Sequence, residues 1–168
     1  MIKNINFLFV TFFGIGTIRY APGTITSLIT TTFLFNLFHV LKLSNIVILI
    51  TLLLIFLFSF YAVAIYIKDE SNKDPKEVVI DEVIGQSIPI YLYEIANFAT
   101  KDSQESIPIY LYIFLLFRFF DIKKPFPVSY IDKKFKNSFG VIFDDVVAGL
   151  YVALTLIIFM FIKSKLSI

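Results

Sequence analysis

Five carboxylates dominate the polar chemistry of this sequence: Asp81-Glu82, Asp121 and Asp144-Asp145. Each marks a change between polar and apolar chain. Asp81-Glu82 and Asp144-Asp145 stand at the entrance to apolar segments, and Asp121 stands at the exit of one. Acids at such boundaries repel anionic lipid unless a cation holds them. The sequence has no cysteine and one histidine, His39, so a thiol nucleophile, a Cys-based zinc site and a multi-histidine metal site are excluded. An all-oxygen donor set suits a hard ion, and Mg²⁺ is typically held by one or two carboxylates together with substrate phosphate oxygens. Each acidic pair also has a local reading, because acids that precede a helix cap its free N–H groups and complement its dipole. Asp121 follows a helix, where an acid is unfavourable, and its local reading is an i,i+3 ion pair with Arg118.

Arg118 lies near the end of an apolar run. A guanidinium facing lipid is costly there, so it should face protein or water. Its planar fork suits phosphate, and Lys124 adds a point charge one turn beyond Asp121. The run Lys123-Lys124-Pro125-Phe126-Pro127 cannot continue a helix and should hold that corner rigid. A positive-inside stop signal explains Lys123 equally well. Gly14, Gly16 and Ala21-Pro22-Gly23-Thr24 mark a loop ahead of a hydrophobic helix, and backbone N–H groups in such a loop can bind an anion. Thr24 or Ser27 could equally be plain caps. His39 is read as a hydrogen-bonded structural residue. Glu94, inside an apolar arm, is a functional candidate of lower weight.

The elements that must position these residues are membrane helices. Of 168 residues, 58% are hydrophobic and 17% charged, with mean hydropathy +0.83. Ordinary globular domains sit near 45–50% apolar and about 25% charged, and one soluble core of this size cannot absorb the excess. Disorder needs low hydrophobicity and is excluded. A net charge of +2 with no compact basic module gives no argument for nucleic acid. Residues 46–67 and 146–162 are charge-free and long enough to span, and 25–41 is a weaker span with several threonines. Residues 83–99 and 107–120, separated by the polar stretch 100–106, predict a helical hairpin entering the membrane, its first arm kinked at Pro89. Residues 5–13 predict an interfacial or re-entrant element of the mature chain rather than a cleaved signal. The runs are continuous, not alternating, which disfavours a barrel. The expected fold is therefore all-α: one domain over residues 1–168, an integral membrane bundle of four to five segments with a polar site on its cytoplasmic face. Sidedness follows from eleven Lys/Arg on one set of connections (Lys3, Arg19, Lys68, Lys73, Lys76, Arg118, Lys123, Lys124, Lys133, Lys134, Lys136) against four on the other (Lys42, Lys101, Lys163, Lys165).

In their order and spacing, several segments resemble the phosphatidylglycerophosphatase A family. They are Gly14-x-Gly16, Ala21-Pro22-Gly23-Thr24 with Ser27, Asp81-Glu82-x-Ile84-Gly85, Phe117-Arg118-x-x-Asp121-x-x-Lys124-Pro125-x-Pro127, Asp132, and Gly140-x-x-x-Asp144-Asp145-x-x-Ala148-Gly149. Arg19 stands where the family usually has proline, Thr26 where it has glycine, and Asn137-Ser138 where a glycine pair is frequent. The resemblance implies a multi-pass, Mg²⁺-dependent enzyme of a bacterial-type cytoplasmic membrane. Such an enzyme removes the terminal phosphate of phosphatidylglycerophosphate, its lipid partner, to give phosphatidylglycerol. Carried over by position, Asp81, Glu82, Asp121, Asp144 and Asp145 resemble the metal-binding acids. Asp121, Arg118, Lys124 and Asp145 are expected to carry catalysis, and Arg118, Lys124, Gly23 and Thr24 to bind the phosphate. The alternative from another class is a small transport or channel subunit that binds a divalent cation through the same acids. A CDP-alcohol phosphotransferase is disfavoured because its D-G-x₂-A-R…G-x₃-D-x₃-D pattern is absent.

Overall fold

Continuous apolar runs bury their backbone polar groups most simply as helices. The computed structural model describes residues 2–68, 75–96 and 103–165, and among these it contains seven α-helices and no strand. They are α1 (Ile2–Val10), α2 (Pro22–Phe35), α3 (Asn45–Lys68), α4 (Ile80–Ala96), α5 (Ser103–Lys123), α6 (Val128–Lys134) and α7 (Ser138–Lys165). A 3₁₀ turn, Ile15–Thr17, leads into α2, and a π-turn, Asn36–Val40, ends it. Of the residues counted for sidedness, Lys73 and Lys101 lie outside the described residues, as do residues 100–102 of the polar stretch.

Three helical stretches are long and apolar enough to cross a membrane: Pro22–Val40, Asn45–Lys68 and Ser138–Ile162. Their outward faces are large apolar side chains, such as Ile46, Leu54, Leu57 and Tyr61 on α3 and Ile157, Ile158 and Phe161 on α7. A continuous exposed apolar face of that kind belongs against lipid rather than water. Helix α4 has only 17 residues, and α5, with 21, carries polar residues toward both ends, so of the expected four to five segments three meet the measure for a span and α4 and α5 form a more polar helical pair.

Helix α4 explains how a polar sequence survives there. Eleven of its 17 residues are buried, including Gln86, Ser87 and Glu94, so protein rather than lipid surrounds them. It lies between two apolar clusters. Leu34, Ile90, Ile113, Phe117 and Val152 join α2, α4, α5 and α7, while Val10, Val63, Val83, Ile84 and Ile142 join α1, α3, α4 and α7. The most extensive helix contact is that of α4 with α7. Gly85 and Gly149 face each other there, and a Cβ on Gly149 would collide with the Gly85 carbonyl. Small residues permit such an approach between membrane helices. The helix runs through Pro89 without interruption.

The topology brings the start of α2, the start of α4, the end of α5 and the early turns of α7 to one end of the bundle. The opposite end holds a second polar contact. His39 Nε2 lies 3.2 Å from Glu94 Oε1, and Tyr110 donates its hydroxyl to the same oxygen at 3.0 Å. His39 is thus a hydrogen-bonded residue of the π-turn, as expected. Glu94 is accounted for by partners rather than by chemistry.

Candidate active site

A cavity of about 260 Å³ opens where the four elements meet. Its walls are Ala21-Pro22-Gly23, Pro75, Lys76, Val78, Asp81, Glu82, Arg118, Asp121, Lys124, Asp144 and Asp145. All five predicted acids and both predicted cations therefore share one space. Thr24 does not line it.

The acids divide into two groups. Asp81, Glu82 and Asp145 converge, each offering an oxygen within 4.8 Å of the others. Glu82 Oε2 and Asp145 Oδ2 are buried and have no hydrogen-bond partner. An unpaired buried carboxylate oxygen is costly, and a hard cation would satisfy both atoms. The donor set of three carboxylates fits Mg²⁺ on those grounds. The other two acids are committed to bases. Asp121 Oδ2 lies 2.7 Å from Arg118 Nη1, the i,i+3 pair expected from sequence, and Asp144 Oδ2 lies 2.6 Å from Lys124 Nζ.

Both cations are braced twice. Arg118 Nη1 also donates to Ser27 Oγ at 3.4 Å, and Ser27 in turn donates to the Gly23 carbonyl at 2.9 Å. Lys124 contacts Asp132 of α6 at 3.1 Å as well as Asp144. Burial works against the Lys124 ammonium, but the carboxylates of Asp144 and Asp132 outweigh it and hold the group above the ordinary lysine range. The ammonium is therefore charged across the neutral pH range. It leaves the end of α5 with φ 43°, and Pro125 and Pro127 follow, so the chain turns sharply where the KKPFP run predicts a corner.

Gly23 sets the loop against these charges. A side chain there would run into the Glu82 carboxylate and come within 3.4 Å of Arg118 Nη1. The start of α2 is thus pressed onto an acid and a guanidinium together, which only a residue without Cβ allows.

Two expectations need correction. Asp144-Asp145 does not precede its helix. α7 begins at Ser138, with the Asn137 side chain accepting from Gly140 N–H, so both acids lie well inside the helix and cap nothing. The predicted caps at α2 also fail: Ala21 occupies the cap position with φ 47° and no side-chain cap bond, Pro22 follows, and the Ser27 hydroxyl bonds backward along the helix. Sequence reasoning also missed the bracing roles of Ser27 and Asp132 and the place of Lys76 in the wall. Asp132 and Ser27 were visible as motif residues, but only the fold shows that they touch Lys124 and Arg118. Lys76 carried no signal beyond its charge.

Comparison with known proteins bears directly on this cavity. A sequence model of the family described as phosphatidylglycerophosphatase A matches residues 8–160, a stretch that contains every wall residue. The chain belongs to the phosphatidylglycerophosphatase A family. It is 36% identical over 139 residues to a phosphatidylglycerophosphatase A of Haemophilus influenzae, covering 83% of this chain and 78% of that protein. It is 34% identical over 141 residues to a Bacteroides thetaiotaomicron protein provisionally named a phosphatidylinositol-3-phosphatase, covering 83% of each. No solved structure matches it. Family membership makes the chain a phosphatase of phospholipid metabolism, a phosphoric monoester hydrolase.

Proposed function

We propose that the cavity hydrolyses the terminal phosphate monoester of phosphatidylglycerophosphate in a Mg²⁺-dependent reaction, giving phosphatidylglycerol and inorganic phosphate. The observation that carries this reading is the division of the acids: three converge with two unpartnered buried oxygens, and two hold Arg118 and Lys124 beside them. Asp81, Glu82 and Asp145 would hold the ion. Bound Mg²⁺ supplies charge neutralisation of the phosphoryl oxygens and orientation of a water. Arg118 and Lys124 bind those oxygens and stabilise the charge that builds on them, since phosphoryl transfer depends chiefly on positioning and electrostatics. Asp121 and Asp144 orient the two cations rather than the ion. Gly23 places backbone at the start of α2 beside the phosphate. Water oxygen forms the new bond to phosphorus, the ester P–O bond breaks, and the glycerol oxygen leaves with a proton. The acyl chains stay in the bilayer, with the cavity facing the cytoplasm of a bacterial-type inner membrane.

The names of the two relatives differ in headgroup and agree in reaction, a phosphate monoester on a lipid. Phosphate release should therefore be measured for purified protein on phosphatidylglycerophosphate, phosphatidylinositol 3-phosphate and soluble glycerol 3-phosphate, each with Mg²⁺ and with EDTA. The expected result is release from phosphatidylglycerophosphate in preference to the others, abolished by EDTA and by Asp145→Asn. Preference for the inositol lipid would overturn the headgroup, and undiminished release in EDTA would overturn the metal.

A further inference from the structure

Gln86 lies one turn beyond Glu82 on α4, four residues along and therefore on the same helix face. Its side chain is fully buried, and neither its Oε1 nor its Nε2 has a hydrogen-bond partner. Glu82 Oε2 beside it is buried and unpartnered too, as is Asp145 Oδ2. A buried amide with both ends unsatisfied is costly, and an apolar side chain of the same size would fill the space without that cost. Unpaired polar groups one helical turn apart on one buried face are what a buried water joins, since such a water needs two to four polar partners and typically about three.

We propose that Gln86 is a positioning residue: it holds a buried water against the Glu82 carboxylate and so fixes that carboxylate in the convergent acid group. The Gln86 amide N–H donates to the water oxygen, and the water donates to Glu82 Oε2. Ile90, the next residue on that face of α4, is fully buried and apolar and offers no donor. On the loop side Glu82 meets the start of α2 at Gly23, which has no side chain to offer, and Gln86 adds support from below, along the same helix. This inference rests on the metal-assisted reading above.

The test is Gln86→Leu, with Gln86→Met as a second, more adaptable apolar replacement. Mn²⁺ binding is measured by electron paramagnetic resonance on the intact purified protein in detergent, without substrate, alongside kcat, KM and the apparent melting temperature. Supporting groups behind a metal ligand typically govern about 10–100-fold of affinity or activity. Both variants are therefore expected to bind Mn²⁺ at least tenfold more weakly and to lower kcat about tenfold, with KM for the lipid nearly unchanged and the melting temperature equal or higher. Native Mn²⁺ affinity in either folded variant overturns the proposal, and so does failure of both variants to fold, which would make the amide a structural partner. Mn²⁺ binding needs no substrate. If wild-type protein binds Mn²⁺ but releases no lipid phosphate, the catalytic reading fails while this inference is still decided.

Discussion

Arg118 is gripped from two sides, by Asp121 at 2.7 Å and by Ser27 at 3.4 Å, and its backbone-facing nitrogen Nε is buried without a partner. Both contacts fall on Nη1, and the remaining donors of the planar fork are the ones a phosphate would engage. Lysine keeps the charge and loses that fork. Arg118→Lys should therefore lower kcat/KM by about 10²–10³, the range for removing one donor to developing charge, with expression retained. Near-native kcat/KM would reduce the arginine to a membrane anchor. At this scale the sequence was informative about identity and poor about pairing. The acids and cations of the site were readable because charged residues are rare in so apolar a chain. Which acid serves the ion and which serves a base depends on distances of a few ångströms between different helices, and spacing along the chain does not encode those. The caps show the limit most plainly. Ala21 at φ 47° and Pro22 open α2, so the threonine and serine that suit a cap were drawn to the wrong job.

Among the elements, α2, α4 and α5 are tied together at the end of the bundle remote from the cavity by His39, Glu94 and Tyr110. The π-turn Asn36–Val40 is what carries His39 to that contact, with Leu41 N–H bonded to the Asn36 carbonyl at 2.8 Å. His39→Leu removes one partner from a carboxylate that stays buried. It should cost about 1–3 kcal/mol of stability, read as a lower melting temperature in detergent, while kcat stays within a few-fold because the cavity is at the other end. A collapse of kcat with an unchanged melting temperature would assign His39 to catalysis. Helix α4 illustrates why elements were only half legible. Its apolar content reads as a membrane arm, and its Gln86 and Glu94 read as exceptions. Burial by neighbouring helices, a tertiary property, takes both out of lipid; Glu94 meets His39 and Tyr110 there, while both polar ends of Gln86 are buried without a protein partner.

At the scale of the whole molecule, the long apolar helices and the all-α class follow from composition together with the continuous, non-alternating apolar runs. The number of crossings does not, because α4 is sheltered by protein and need not match the bilayer in length, while α5 shows an exposed apolar face with polar residues toward both its ends. Sidedness can be read directly, since the chain contains no cysteine. Lys136→Cys, on the exposed loop before α7 beside the cavity, should react with an impermeant thiol reagent only in inverted vesicles. Ser44→Cys, on the exposed turn between α2 and α3, should react only from outside intact cells. Labelling of both from one side would remove the inference that α3 crosses while α4 and α5 together return the chain to the same side, and reversed labelling would turn the cavity outward.

The Gly85–Gly149 contact has a mechanical side. Bilayers of different thickness change the tilt of the helices that cross them, and two helices that tilt against each other move least where their backbones touch. Gly85 lies three residues past Glu82, and Gly149 lies four past Asp145. The touching point is thus a fulcrum within about one helical turn of the convergent acids, and the arms that swing are the far ends of α4 and α7. Carboxylate spacing should then be nearly independent of lipid chain length, so turnover in short-chain and long-chain vesicles of equal surface charge should agree closely. Gly149→Ala moves the fulcrum by inserting a methyl group between the two backbones, and it should make the same enzyme sensitive to the thickness of its membrane.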